Sequence, residues 1–286
     1  MRFRSIVMVA VGAALLLAAP PSGQAADDVE GLKKAIQALQ SEVAALQSQL
    51  AIIKANSVLA LAPHVSVVTD PINGVTGPHI IFTGANIHVR DASGLTDASS
   101  GRGNLIVGYN ELPMNGPVKL RDRQGTHNLV VGSGHRYSFF GGFVAGHENT
   151  IDGLFATVSG GFQNAARGEY STVSGGESNV AGGYYTAVSG GGHNSAIGYW
   201  GWIGGGQHNA AQGPYTTVTG GQGNNASGGY SSINAGYDNQ TRGVYSSVGG
   251  GEKNHARGPY SSVSGGRLQE SPENWQWVGG KPSAGK

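Results

Sequence analysis

A chain of 286 residues is long enough for one or two domains, but 50 glycines and only 12% charged residues mark a repetitive scaffold rather than an average globular protein. Without cysteine there can be no disulfide, thiolate metal site or cysteine nucleophile. A formal net charge of +1 offers little to a phosphate backbone, so no nucleic-acid partner is expected.

The chain opens "MRFRSIVMVAVGAALLLAAPPSGQA". Arg2 and Arg4 precede an apolar run from Ile6 to Ala19, broken by Pro20, Pro21 and Gly23 ahead of the small residue Ala25. Residues 1–25 therefore read as a Sec-type signal peptide cut after Ala25, and the protein is expected to be secreted or held at the cell surface. The alternative is an uncleaved anchor, but the fourteen apolar residues fall short of the roughly 20 that span a bilayer. Cleavage removes two of the 18 basic residues, leaving 16 against 17 acidic ones, a net charge near −1.

Residues 26–61 carry a heptad. Val29, Ile36, Val43 and Leu50 occupy one apolar position, Leu32, Leu39, Leu46 and Ile53 the other, with Lys33, Gln40, Glu42, Gln47 and Lys54 flanking them. Four heptads with both stripes intact predict a parallel coiled-coil stalk through which copies of the chain associate; an amphipathic helix packed on its own domain is the alternative. β-branched residues at the first position with Leu at the second favour two strands over three.

Residues 62–148 read as an irregular β part. "HVSVV" and "HIIFTGANIHVR" alternate around the turn signals "DPING" and "TGAN", and the phrases "GNLIVGYN" and "HNLVVGSG" share an apolar strand ending on Gly. Their uneven spacing fits loops inserted into early coils of a solenoid.

Over residues 149–266 the period is 15. Asn recurs at Asn149, Asn164, Asn179, Asn194, Asn209, Asn224, Asn239 and Asn254, with Gly four places later, from Gly153 to Gly258. Two places beyond each Gly stands an aromatic: Phe155, Tyr170, Tyr185, Trp200, Tyr215, Tyr230, Tyr245 and Tyr260. Three further on comes Val or Ile, from Val158 to Val263. Fifteen residues are too few for a helical repeat, so each unit predicts one coil of an all-β, parallel β-solenoid: two short strands, each ending at a Gly whose positive φ makes the turn. Stacked in register, the Asn residues form a structural ladder whose amides bond along the stack, and the aromatics a second ladder of stacked rings. Those rings, Tyr170 to Tyr260, together with Trp202, are the candidate ligand-contacting residues.

One coil reliably buries a Val or Ile, an Ala such as Ala166, Ala181 or Ala196, and part of a ring. At about 25 cal/mol per Å² this hardly offsets roughly 1.5 kcal/mol of conformational entropy per ordered residue, so side-by-side packing in a homo-oligomer is expected. The two-strand, Gly-ended coil resembles the head repeats of YadA-like trimeric autotransporter adhesins, and "FTGANIHVR", "GNLIVGYN" and "YSSVSGG" are similar to phrases in a group of uncharacterised secreted bacterial proteins with such repeats. Over residues 80–266 the resemblance implies a left-handed parallel β-roll, a homotrimer sharing one core, and attachment to surfaces. This chain departs from that family in two ways: the adhesin-head unit is usually one residue shorter, and residues 267–286 are too few for the strands of a membrane barrel. No integral membrane anchor is therefore expected, and the tail reads as a cap with Trp275 and Trp277 covering the last coil.

Searches for chemistry end early. "HENTI" lacks the second His of a zinc-peptidase motif, "GGFVAGHE" has His147 where a phosphate loop has Lys, and no GxSxG elbow occurs. His193 and His208, one coil apart, are the nearest thing to a metal pair, although two polar turn residues are the ordinary reading. Only nine charged residues lie between Asn149 and Gly266, so neither catalysis nor a cofactor is expected. Three functions remain. These are attachment to glycans or matrix and cell-surface proteins through many weak contacts, a ligand-free spacer or extracellular scaffold, and ice binding through the hydroxyls of "STV", "TTV" and "SSV".

Overall fold

The computed structural model describes residues 23–114 and 120–279. The expected signal peptide up to residue 22, and the end of the tail from residue 280, lie outside the described residues. Two compact units divide at Ile87 and His88.

The first unit begins with helix α1 (Gly23–Ala55). It starts ahead of Val29, and all eight apolar seam residues from Val29 to Ile53 are exposed in the single chain. Asn56 ends the helix, its Oδ1 accepting the Val58 N–H at 2.9 Å. Strands β1 (Val65–Val68) and β2 (His79–Phe82) then pair antiparallel. Between them "DPING" makes a tight turn in which Asn73 and Gly74 take φ of +49° and +83°, the left-handed pair that Asn-Gly adopts most readily. Only four residues of "HIIFTGANIHVR" form strand.

The second unit is an all-parallel β-solenoid of about ten turns. Each regular coil has two two-residue strands, as in Ala165–Ala166 and Thr172–Val173. The first strands stack into a 10-stranded sheet and the second strands into a 12-stranded one. A third line of single parallel bridges runs from His147 through Phe162 and Glu177 to Arg267. Register is constant: Thr172 pairs with Thr157 on one side and Ala187 on the other.

The solenoid starts upstream of the regular repeat. Leu105–Val107 pairs with Leu129–Ser133, which pairs with Phe143–His147. Val130 lies against Val144 and Val144 against Val158, fourteen residues apart, whereas Val158 lies against Val173, fifteen apart. The longer coils gain their extra residue after the second strand, where "VSGG" replaces "VAG". That residue is Gly160, Gly175 or their equivalents, and a Cβ there would meet nothing, which explains why Ala235 fits the same place. The tail also differs from the expected cap. Glu270–Ser271 and Trp277–Val278 pair onto the preceding strands as one more coil, and Trp275 and Trp277 are 74% and 68% exposed rather than folded over the end.

Inside the regular coils Val or Ile from the second strand faces Ala from the first, with Thr241 in place of Ala in one coil, and both columns are essentially inaccessible from Val158 to Val263 and from Ala166 to Ala256. These inner columns close within one chain. They hold the Val or Ile and the Ala per coil that the sequence offers for burial, enclosed without a residue from a second chain.

The two Gly columns have different causes. Gly161, Gly176 and their successors take φ near +83° to +98°, where a side chain would be strained. Gly153, Gly168, Gly183 and the rest of that column do not adopt positive φ, contrary to the turn expected from the sequence. They are Gly because a Cβ would run into the carbonyl of the next coil, Gly183 O in the case of Gly168.

Candidate functional site

The ladder Asn residues are fully buried and position everything else. Asn209 is typical: its Oδ1 accepts the Asn224 N–H at 3.0 Å, and its Nδ2 donates to Gly205 O and Gly221 O, each at 2.9 Å. The expected amide-to-amide ladder is thus mostly replaced by amide-to-backbone bonds; only Asn239 Nδ2 also donates to a neighbouring Oδ1, that of Asn224, at 3.1 Å. One rung is not Asn at all. His135 Nδ1 accepts the Asn149 N–H at 3.2 Å while Nε2 donates to Val131 O at 3.0 Å, reproducing the acceptor and donor of an amide with a neutral imidazole. Burial, with Arg123 and His147 as lesser causes, pushes the His135 pKa down.

Six places after each Asn the backbone turns again, and here the aromatic itself occupies the left-handed region, with φ between +55° and +60° from Phe155 to Trp275. Left-handed backbone costs a non-Gly residue about 1–2 kcal/mol. Each ring residue is tied across the coil gap by its own N–H, as in Tyr170 to Leu154 O at 2.9 Å and Tyr215 to Tyr199 O at 2.7 Å. The fixed turn aims every Cβ outward in the same direction, and stacking offsets the strain. From Phe155 to Trp275 successive rings are parallel within 13°, with centroids 4.1 to 6.3 Å apart. From Phe155 to Tyr260 they are 41–51% exposed; from Tyr170 on, each ring has a stacked neighbour on either face and leaves its edge to solvent.

Tyr170, Tyr185, Trp200, Tyr215, Tyr230, Tyr245 and Tyr260 are therefore brought together in one stripe. Trp202 is not part of it. It lies in the outward column of the second strand, with its Nε1 donating to Ser189 Oγ at 3.2 Å. The hydroxyl triplets divide as well. The first residue of each, such as Ser171, Thr216 or Ser246, is buried, and the outward row of Thr157, Thr172, Thr217 and Ser232 is interrupted by Ala187 and Trp202. His193 and His208 stack at 4.9 Å with planes 6° apart, so their ring nitrogens lie side by side rather than converging on one point. Among the described residues no group of three or more His, Asp or Glu could hold a metal ion.

Two rings that sequence reasoning passed over, Tyr184 and Tyr199, stand directly before members of the stripe and meet edge to face at 5.5 Å. The doubled aromatics in "GGYYTAV" and "IGYWGWI" were their signal. No family model matches this sequence, and no curated protein matches it.

Proposed function

We propose that this is a non-enzymatic attachment protein, secreted or held at the cell surface, that binds glycan or matrix surfaces through its solenoid. The observation that carries the reading is the half-exposed stack of parallel rings from Phe155 to Trp275. A stripe of evenly spaced aromatic edges on a uniform scaffold gives many weak, identical contacts that add through effective concentration. Association of chains strengthens such binding. The exposed seam of α1 supports a parallel coiled coil, and the likeness to adhesin heads supports three left-handed rolls per assembly, with two as the alternative. Light scattering on the chain reads the number directly, and a stable monomer refutes the assembly.

Replacing Tyr185, Tyr215 and Tyr245 together by Ser tests the stripe. Attachment to immobilised matrix protein and glycoprotein is expected to fall steeply at temperatures well below the melting point, which the lost stacking lowers. Unchanged attachment with a lowered melting temperature would instead favour the spacer reading, which the closed inner columns support because they need no ligand.

A further inference from the structure

Because every coil repeats one backbone, a departure in an outward column stands out from what the fold requires. Three places after the ladder Asn most coils carry a polar residue, such as Arg167, Gln212, Ser227 or Arg242, but two neighbouring coils carry Gly182 and Ile197. Five places after, the same two coils carry Tyr184 and Tyr199 where others have Glu169, Gly229 or Val244. None of the three side chains among them belongs to the buried core. Tyr184, Ile197 and Tyr199 are 49%, 50% and 58% exposed.

With Gln212 and Pro214 they line a shallow cleft of about 540 Å³, open to solvent along one side. Tyr184, Ile197, Tyr199, Gln212, Pro214 and three glycines line it. The missing side chain at Gly182 keeps it open, since a Cβ there would already come within 3.2 Å of Ile197 Cγ2. Apart from the two tyrosines no ionisable side chain lines it. Among the described residues, the Tyr184 and Tyr199 hydroxyls and the Gln212 amide make no hydrogen bond within the chain.

We propose that this cleft binds a neutral pyranose, one sugar of an oligosaccharide. Rings that meet edge to face give the C–H face of a sugar an aromatic surface, and two hydroxyls and an amide without partners suit its hydroxyl groups. The uncharged lining selects against anionic sugars, whose carboxylates or sulfates would find no cation. The inference deepens the attachment reading and rests on it: the stripe supplies avidity and the cleft supplies sugar recognition.

The test uses the full chain with cellohexaose, maltohexaose, chitohexaose and a heparin hexasaccharide, read by saturation-transfer NMR and titration calorimetry. At least one neutral hexasaccharide should bind. The double variant Y184V/Y199V, which installs the residue found at Val244, should weaken it roughly tenfold or more, while Arg242→Ser, in the same outward column three coils beyond Ile197, should leave it unchanged. Circular dichroism checks that the double variant is folded. Binding that survives Y184V/Y199V, binding of the heparin fragment alone, or no binding of any neutral sugar overturns the inference. Attachment to immobilised matrix protein, measured in parallel, separates the two readings. If it persists without sugar binding, only the cleft inference falls; if it is lost in the wild-type chain too, the attachment reading falls with it.

Discussion

Replacing Asn209 by Ala removes one rung from the middle of the ladder. The Asn224 N–H loses its acceptor and Gly205 O loses its donor, whereas Gly221 O keeps the backbone N–H of Gln207 at 3.0 Å. One buried and one half-buried backbone group are left unpaired; at about 1–3 kcal/mol for the buried one and less for the other, the loss should be about 2–4 kcal/mol. The comparison is Val218→Ala, which removes two methyl groups from the adjoining core column at a cost of about 2 kcal/mol. Asn209→Asp adds a sign. A carboxylate still accepts from Asn224 but places a buried charge against two carbonyl oxygens, so at pH 7 it should be worse than Ala. Burial should raise the carboxyl pKa of that variant, the folded state should then hold the proton more tightly, and stability should rise as pH falls toward 4. Urea titrations of the three variants, followed by Trp fluorescence, give the order. If N209A costs less than V218A, or N209D is indifferent to pH, the account of the ladder is wrong.

The glycine columns predict opposite outcomes for one change: Gly198→Ala, aimed at the Gly213 carbonyl, should cost about 2 kcal/mol or more, and Gly205→Ala should stay within about 0.5 kcal/mol, as thermal melts can check. At the left-handed ring position, Tyr230→Gly should be more stable than Tyr230→Ala by about 1 kcal/mol, although both lose the stack; equal stabilities would refute the strain assigned to that turn. The lowered pKa of His135 means that below about pH 6.5 the unfolded chain binds a proton the folded chain refuses, so stability falls on acidification by up to about 1.4 kcal/mol per pH unit until the folded pKa is reached. His135→Asn should abolish that slope in amide exchange of the first coils; an identical slope would show that His135 is not its source.

What the sequence makes legible is whatever repeats with a single cause. The Asn, Ala and Val columns each have one role, so their spacing gives both the coil and its interior. Glycine misleads because one residue type answers two problems, a left-handed turn at Gly176 and a close approach at Gly168, and a string of letters does not separate them. The aromatic turn misleads the other way, since a bulky residue at positive φ contradicts ordinary propensity and only the stack makes it tolerable. The early coils are legible only as irregular ones, because His135 mimics an Asn rung and a one-residue change breaks the period just before Asn149. The cleft at Tyr184 and Tyr199 was legible only as a deviation between coils, a signal that a search for reactive groups passes over.

Constant register also has a consequence for inheritance. Each regular coil corresponds to fifteen codons, and its lower and upper faces match those of its neighbours. Unequal crossing-over within such a gene inserts or deletes whole coils without shifting the reading frame or creating a new kind of contact. Every product differs in length by a multiple of the strand spacing, about 4.8 Å. Reach can therefore vary between descendants by recombination alone, with no point mutation having to pass through a misfolded intermediate.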